Sequence, residues 1–391
     1  YSFNSIALVF ALSKFKCVIV PIISSNKTEV EKKIEICTPD YIIDSKSLDI
    51  RYVEKDNCLL NDYYLNLFKH DKSGLVLFSS GSTGDPKAMV HDFDNLLSSY
   101  LNVKKKDLTF LVFLMFDHIG GLNTMLNILS MGSTMIIPEK REPEIIARLI
   151  ENHKVNILPA SPTFLNLMNI GGVFDSYDFS SLKLVTYGTE PMSETLLNIL
   201  KLKLPKTKLI QTFGTSETGI IKTKSKSSNS LLVKFEDVNQ DVKIIDGELW
   251  IKSNTRVLGY INHNNEALTD DGWFKTGDLV EEKEDGYFKI VGRKSKIINV
   301  GGEKVLPIEI ENIILELNYI LDCTAYAKEN LITGQAVAVK VVVKSLDTDL
   351  KLLKKNIKSH CKKNLERYKV PAEIIVTDKI THSSRFKKSL D

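Results

Sequence analysis

From its first residues to about residue 222 the chain repeats one pattern, in which short apolar segments alternate with stretches of helical periodicity. Residues 17–23 (CVIVPII) are apolar at nearly every position, so both faces of an extended segment would be buried. That pattern belongs to a parallel strand covered on both sides, whereas a half-solvated antiparallel strand alternates. Residues 41–43, 74–78 (GLVLF), 109–115, 134–137, 155–158, 182–187 and 208–212 are further strand candidates. Helical stretches such as 6–13 and 29–37 lie between them, and the alternation dictates a layered α/β architecture. The run from 6 to 23 reads as a buried helix entering a strand. Lys14 and Lys16 interrupt it, so it is not a membrane span.

The texture then changes. Residues 222–230 (KTKSKSSNS) are polar and turn-rich, and short strand patterns follow at 242–245, 248–252, 273–275 and 287–291. Asp246-Gly247, Asp271-Gly272 and Asp285-Gly286 punctuate them, as in a β subdomain built from hairpins. From residue 296 a βα pattern resumes, with helices expected at 307–317 and 350–365 and a strand at 336–343. The expected organisation is a large multi-subdomain α/β region (1–292) with a β subdomain, a hinge (293–295) and a small α+β C-terminal domain (296–391).

At 391 residues, two or three domains are expected. The net charge of +3 makes no case for a nucleic-acid partner. Residues 296–391 are more basic, with 17 Lys/Arg against 12 Asp/Glu. This is either a solvated lysine-rich face or a surface for an anionic partner such as a carrier protein or coenzyme A. The five cysteines (Cys17, Cys37, Cys58, Cys323, Cys361) form no Cys-x-x-Cys pair, which argues against a disulfide framework or zinc site and fits a reducing cytoplasm. No signal peptide is apparent, and the start at Tyr1 leads us to expect natural sequence upstream.

The strongest local signal is Ser79-Ser80-Gly81-Ser82-Thr83-Gly84-Asp85-Pro86-Lys87, directly after the strand GLVLF. Small and hydroxyl residues let backbone N–H groups and side-chain hydroxyls surround phosphate oxygens, and Lys87 adds positive charge. It is not a Walker loop, because Asp85-Pro86 separates Gly84 from the lysine.

This segment resembles the phosphate loop of the adenylate-forming superfamily, which contains acyl-CoA synthetases, nonribosomal-peptide adenylation domains and firefly luciferase. Further motifs follow in that superfamily's order. Tyr187-Gly188-Thr189-Glu190-Pro191 resembles its adenine loop, and Gln211-Thr212-Phe213-Gly214-Thr215-Ser216-Glu217 its aromatic-Gly-x-Thr-Glu motif. Gly272–Asp278 carries Thr-Gly-Asp, and Gly292-Arg293-Lys294-Ser295-Lys296 resembles the hinge. Gly301-Gly302-Glu303 resembles the glycine loop beyond the hinge, and Arg367–Pro371 with terminal Lys387 completes the series.

The resemblance implies an enzyme that uses ATP to activate a carboxylic acid as an acyl-adenylate, releases pyrophosphate, and passes the acyl group to the thiol of coenzyme A. It also implies a mobile C-terminal domain. Glu217 would hold Mg²⁺, Ser216 would contact phosphate, and Phe213 would stack on adenine. Asp278 would accept hydrogen bonds from ribose hydroxyls, Arg293 would support the sugar, and Lys387 would reach the reacting oxygens. In isolation Phe213 reads as core, Asp278 as a turn cap and Glu217 as a solvated acid.

Two departures stand out. The superfamily's terminal lysine follows a glycine, whereas this chain has Ser383-Ser384-Arg385-Phe386-Lys387-Lys388. Lys387 is the favoured residue and Lys388 its competitor. At the hinge, Ser295 stands where Asp or Lys is usual.

Phe116-Asp117-His118-Ile119-Gly120-Gly121-Leu122 resembles the aromatic-His segment of the acyl pocket, and residues 159–165 read as more of its wall. His118 is expected to orient a plain acyl substrate, or else to cap a helix. Asp117 would instead suit the ammonium group of an amino acid. Counting back from Gly132 favours His118. Gly301 and Gly302 would line the tunnel for a pantetheine thiol, carried by coenzyme A or an acyl carrier protein, and Gly334-Gln335 resembles a loop near that acceptor. A carrier-loading enzyme and a non-catalytic nucleotide-binding relic are the alternatives.

Overall fold

The computed structural model describes residues 2–24, 26–54, 60–80, 86–236, 240–345, 349–378, 382, 386 and 388. Its centre is a parallel sheet of five strands, Thr109–Leu111 (β1), Thr134–Ile136 (β2), Ile157–Ala160 (β3), Leu184–Tyr187 (β4) and Lys208–Gln211 (β5). Their spatial order is β5-β4-β3-β1-β2. The helices Ile119–Met131, Pro143–Asn152, Pro162–Ile170 and Glu194–Lys203 make the crossovers. Residues at the end of β1 alternate between two cores. Leu111 and Phe113 pack with Ile146, Phe164 and Leu197, while Phe110 and Val112 pack with Leu122, Met125 and Ile128. A strand with apolar residues on both faces, sandwiched by helices, follows from the continuous apolar runs.

A second sheet is built on the hairpin Gly74–Ser80 and Pro86–Asp92, whose tip carries the phosphate-loop sequence. Val18–Ile19 joins one edge in parallel, and Gly259–Tyr260 joins the other antiparallel. The strand expected over 17–23 is thus paired at only two residues, and Pro21 just beyond has no N–H to offer a ladder. The helix ahead of it, Phe3–Lys14, is not the buried element expected. Ile6, Val9 and Leu12 lie against the core on one narrow stripe, while Phe3 is 85% exposed and Phe10 also faces solvent.

Residues Thr223–Ser225 to Phe288–Arg293 form a six-stranded antiparallel sheet, and at Asp246-Gly247 both residues take positive φ (50° and 75°), as a two-residue hairpin turn demands. The strand expected at 273–275 runs over Trp273–Glu282 and contains Thr276-Gly277-Asp278. Its inward positions are Phe274, Thr276, Asp278 and Val280, all buried. Two polar inward residues concealed the alternation.

The C-terminal region has a sheet of its own: Ile298–Val300, Glu303–Val305, Ile320–Asn330, Gly334–Val343 and Glu373–Thr377. The helices Pro307–Leu315 and Leu350–Asn364 contribute Ile310, Ile314, Ile357 and Cys361 to a separate core with Val339 and Val341. A short 3₁₀ turn, Lys294–Lys296, connects the two regions. Among the described residues Cys17, Cys37, Cys323 and Cys361 are free thiols, and no helix is long and apolar enough to cross a membrane.

Candidate active site

In chain order the strands run outward from β1 on one side and from β3 on the other, so the order reverses between these neighbours. Such a switch point leaves a crevice at the carboxyl ends of the strands, where open α/β sheets bind ligands. The segments singled out from the sequence leave the sheet at this edge: 113–118 after β1, 161–165 after β3, 188–191 after β4 and 212–217 after β5. A cavity of about 450 Å³ lies just beyond β1 and β2, lined by Ile23, Val112, Met115, Ile137, Pro138, Glu139 and Arg141.

These loops are fixed to one another. Ser161 Oγ accepts from the Phe164 N–H (3.2 Å), capping the helix Pro162–Ile170. Glu190 Oε1 accepts from the next orphan donor, the Thr163 N–H, at 2.7 Å. Glu190 therefore ties the loop after β4 to the helix after β3. The Thr212 N–H donates to Tyr187 O (2.8 Å), and a Cβ on Gly188 would sit 2.7 Å from Thr212 O. Only glycine permits that approach. Thr189 beside it takes a left-handed φ of 74°, uncommon for a β-branched residue.

Beyond β5, Phe213–Thr215 pairs with Gly219–Ile221, and Thr215 Oγ1 accepts from the Glu217 and Thr218 N–H groups. Phe213 is 8% exposed and packs in the β-region core edge-on to Phe235, with ring centroids 5.8 Å apart. Most of its ring area therefore packs in the core of the β region. Ser216 is mostly buried.

Glu217 Oε1 accepts a hydrogen bond from Tyr260 Oη at 2.8 Å. Burial and the Glu217 charge push the Tyr260 phenol well above its ordinary pKa, so it stays a donor. Tyr260 pairs with Met89 on the phosphate hairpin, and Asn262 holds the same hairpin through the Ala88 N–H (2.9 Å) and Pro86 O (2.9 Å). The acidic candidate is thus coupled to the phosphate-loop strands. Sequence reasoning missed Tyr260 and Asn262, because Gly259-Tyr260-Ile261-Asn262 carries only a short strand pattern. Ser79 pairs with Lys87 across the hairpin. Gly81, Ser82, Thr83, Gly84 and the Ser80 side chain lie outside the described residues.

Asp278 and Arg293 are opposite one another on adjacent strands, with Arg293 Nε 2.7 Å from Asp278 Oδ1. Asp278 is nearly buried, while Arg293 is half exposed. Glu248, also unmarked in the sequence, accepts from the Gly277 N–H (3.1 Å) and pairs with Lys294 (3.1 Å). Both carboxylates therefore hold residues at the start of the expected hinge.

His118 is the N-cap of the helix Ile119–Met131, its Nδ1 accepting the Gly120 N–H at 3.3 Å, so the capping alternative is realised. Asp117 is 6% exposed. In the C-terminal domain Gly301 and Gly302 take φ of 60° and 97° at the turn between Ile298–Val300 and Glu303–Val305. The Gly301 N–H donates to Thr333 O (2.9 Å), bringing this loop beside Gly334-Gln335. Lys387 lies outside the described residues. Its competitor Lys388 pairs with Asp322 Oδ1 (2.7 Å) and donates to Cys323 O (2.7 Å). Burial opposes its charge, but Asp322 and Glu311 outweigh burial and hold it above the ordinary lysine range.

Among the described residues no three His, Cys, Asp or Glu side chains cluster as a self-sufficient metal cage. A lone oriented carboxylate such as Glu217 fits Mg²⁺ instead, which takes one or two carboxylates and completes its shell with water and substrate phosphates.

Residues 1–261 match the family described as AMP-binding enzyme, and residues 309–387 match the AMP-binding enzyme C-terminal domain. The chain is 31% identical over 331 residues to a 2-succinylbenzoate–CoA ligase of Listeria monocytogenes, covering 79% of this chain and 67% of that protein. It is 26% identical over 350 residues to 4-coumarate–CoA ligase-like 6 of Arabidopsis thaliana, covering 81% and 61%. Its fold is that of an anthranilate CoA ligase solved with anthranoyl-AMP, with a TM-score of 0.69 at 20% identity over 80% of this chain and 65% of that one. The chain thus spans about two thirds of the length of these relatives. With both its large region and its C-terminal domain matched, the chain belongs to the AMP-binding enzyme family.

Proposed function

We propose that this chain carries the machinery of an acid–thiol ligase, which activates a carboxylic acid with ATP and transfers the acyl group to the thiol of coenzyme A. The observation that carries this reading is the link from Glu217 through Tyr260 to the hairpin Gly74–Ser80 and Pro86–Asp92, which ties an oriented carboxylate to the strands flanking the proposed phosphate loop.

In the first half-reaction a carboxylate oxygen bonds to the α-phosphorus and the bond to the β-phosphate oxygen breaks, expelling pyrophosphate. Two anions must meet, so the work is charge neutralisation and positioning. Residues 79–87 are assigned to the phosphates, with Lys87 adding positive charge. Asp278, held by Arg293, is an acceptor for ribose hydroxyls. Gly188, packed on Thr212, offers a flat backbone surface to the base, and Phe213 is assigned to stack on it. Mg²⁺ held at Glu217 would supply positive charge to the phosphate oxygens. Lys387 is the residue assigned to the reacting oxygens.

The cavity beyond β1 and β2, with Phe116, His118 and residues 159–165 nearby in the fold, is the proposed acid site. In the second half-reaction the thiol attacks the acyl carbon and AMP leaves. We assign the pivot to residues 293–295, where rotation would separate Lys294 from Glu248 and bring Gly301-Gly302 to the thiol path.

ATP–pyrophosphate exchange by the full chain, against fatty, aromatic and amino acids, tests the proposal. Aromatic acids lead the panel because the relatives are named as a 2-succinylbenzoate–CoA ligase, a 4-coumarate–CoA ligase-like protein and an anthranilate CoA ligase. Acid-dependent exchange supports the reading, and ATP binding with no exchange for any acid overturns it in favour of a non-catalytic nucleotide binder.

A further inference from the structure

We propose that Phe386 and Lys388 are positioning residues, which strap the C-terminal tail across the two domains and hold them in one relative orientation. The two side chains are anchored in different domains. Phe386 belongs to the large region: its ring lies 5.1 Å from that of Phe113 and 5.0 Å from that of Phe164, with the Arg141 guanidinium 5.3 Å away. His382 stacks on it from within the tail, at 4.9 Å. The backbone is held as well, since Ser161 Oγ donates to Phe386 O at 2.8 Å. Phe113 and Phe164 follow β1 and β3, so the ring enters the switch-point crevice itself.

Two residues further on, Lys388 belongs to the C-terminal domain through Asp322 and Cys323 O. Asp322 is 7% exposed and Glu311 lies close by, so this end is a charge anchor set among buried groups. Near both ends Asn166 Nδ2 donates to Leu321 O (3.3 Å), a direct contact between the domains beside the Lys388 anchor.

Phe386 also takes a left-handed φ of 52°. A glycine would adopt that conformation without penalty, whereas a bulky residue there is strained. The sequence thus forgoes the easy backbone residue for a side chain that fills an apolar slot, which makes sense if the ring is the functional part. Lys388, the competitor for the catalytic role, is assigned instead to the anchor. The acid-activating function gives this strap its purpose, because orientation of the small domain would then set which half-reaction proceeds.

The test is single-molecule fluorescence transfer in the full chain, with labels at Leu202 and Lys354, exposed positions in the large and small domains. No acid or nucleotide is needed. Phe386→Gly relaxes the backbone but removes the ring. It is expected to lower the ratio of strapped to released molecules roughly tenfold or more, since burying an aromatic ring outweighs the relief of φ strain. Phe386→Leu, which refills much of the slot, is expected to restore most of the strapped population. Lys388→Met is expected to release the strap from the other side. An unchanged distribution in Phe386→Gly, or a more strapped one, overturns the proposal. If wild type fails to exchange pyrophosphate with every acid while Phe386→Gly still releases the domains, the strap stands and the catalytic reading falls.

Discussion

His91 lies fully buried on the strand that returns from the phosphate loop, and this should make the hairpin sensitive to acid. Met89 and Phe93 flank it on the same face and belong to the apolar core, and neither ring nitrogen has a hydrogen-bond partner among the described residues. Burial pushes its pKa down from 6.5 to about 4. Between those values the unfolded chain binds a proton that the folded chain refuses, so stability is complete above pH 6.5 and is lost as pH falls towards 4. At about 1.4 kcal/mol per pKa unit, moving from about pH 7.5 to pH 4.5 should cost the wild type about 2.5 kcal/mol relative to a chain lacking the imidazole. His91→Met supplies that reference with similar volume and no unpartnered nitrogen. Hydrogen exchange of peptides covering residues 74–92, corrected for intrinsic rates, reads the opening free energy of this unit. The variant should match or exceed wild type near neutrality, and its advantage should grow as pH falls. A gap independent of pH would refute the argument and show that the ring finds a proton acceptor or solvent.

Tyr260→Phe should leave the fold intact but remove one charge-assisted bond to Glu217, worth about 1.5–3 kcal/mol. A rise in the Mg²⁺ needed for half-maximal pyrophosphate exchange checks this, and Glu217→Gln should show a larger rise with slower adenylation. Gly188→Ala places a Cβ 2.7 Å from Thr212 O, so the two loops must part. The KM for ATP should rise with little change in the acid's KM, as measured by steady-state exchange. Lys387→Ala should abolish adenylate formation while transfer from a supplied acyl-adenylate persists. Normal adenylation in Lys387→Ala and its loss in Lys388→Ala would instead move the catalytic role by one residue and contradict the anchoring of Lys388 at Asp322.

The parallel sheet was legible because its strands are largely apolar, the inner ones on both faces, and its edge could be predicted from the motifs that follow each strand. Trp273–Glu282 was cut short because Thr276 and Asp278 occupy inward positions, where apolar residues would have signalled a strand. The helix Phe3–Lys14 misled in the opposite way, since its apolar residues run all round it but only one stripe packs. At the site, the motif residues were visible and their supports were not. Tyr260, Glu248 and Ser161 each make hydrogen bonds across long sequence separations, and no local spacing encodes such partners. Phe386 appeared only as a missing glycine until its ring was seen between Phe113 and Phe164.

The common edge from which the site loops emerge also separates two kinds of evolutionary pressure. Changes at Leu111, Ile146 or Val185 are felt by the whole sheet, because these residues share one close-packed interior. Changes at Met115, Ile137 or Pro138 alter the lining of a cavity past the strand ends. With the acid seated there as proposed, such a layout lets the choice of acid drift among descendants by exchange of lining residues while the nucleotide loops and the folding core stay as they are. Divergence among paralogues should therefore concentrate after β1 and β2 and spare the loops after β4 and β5.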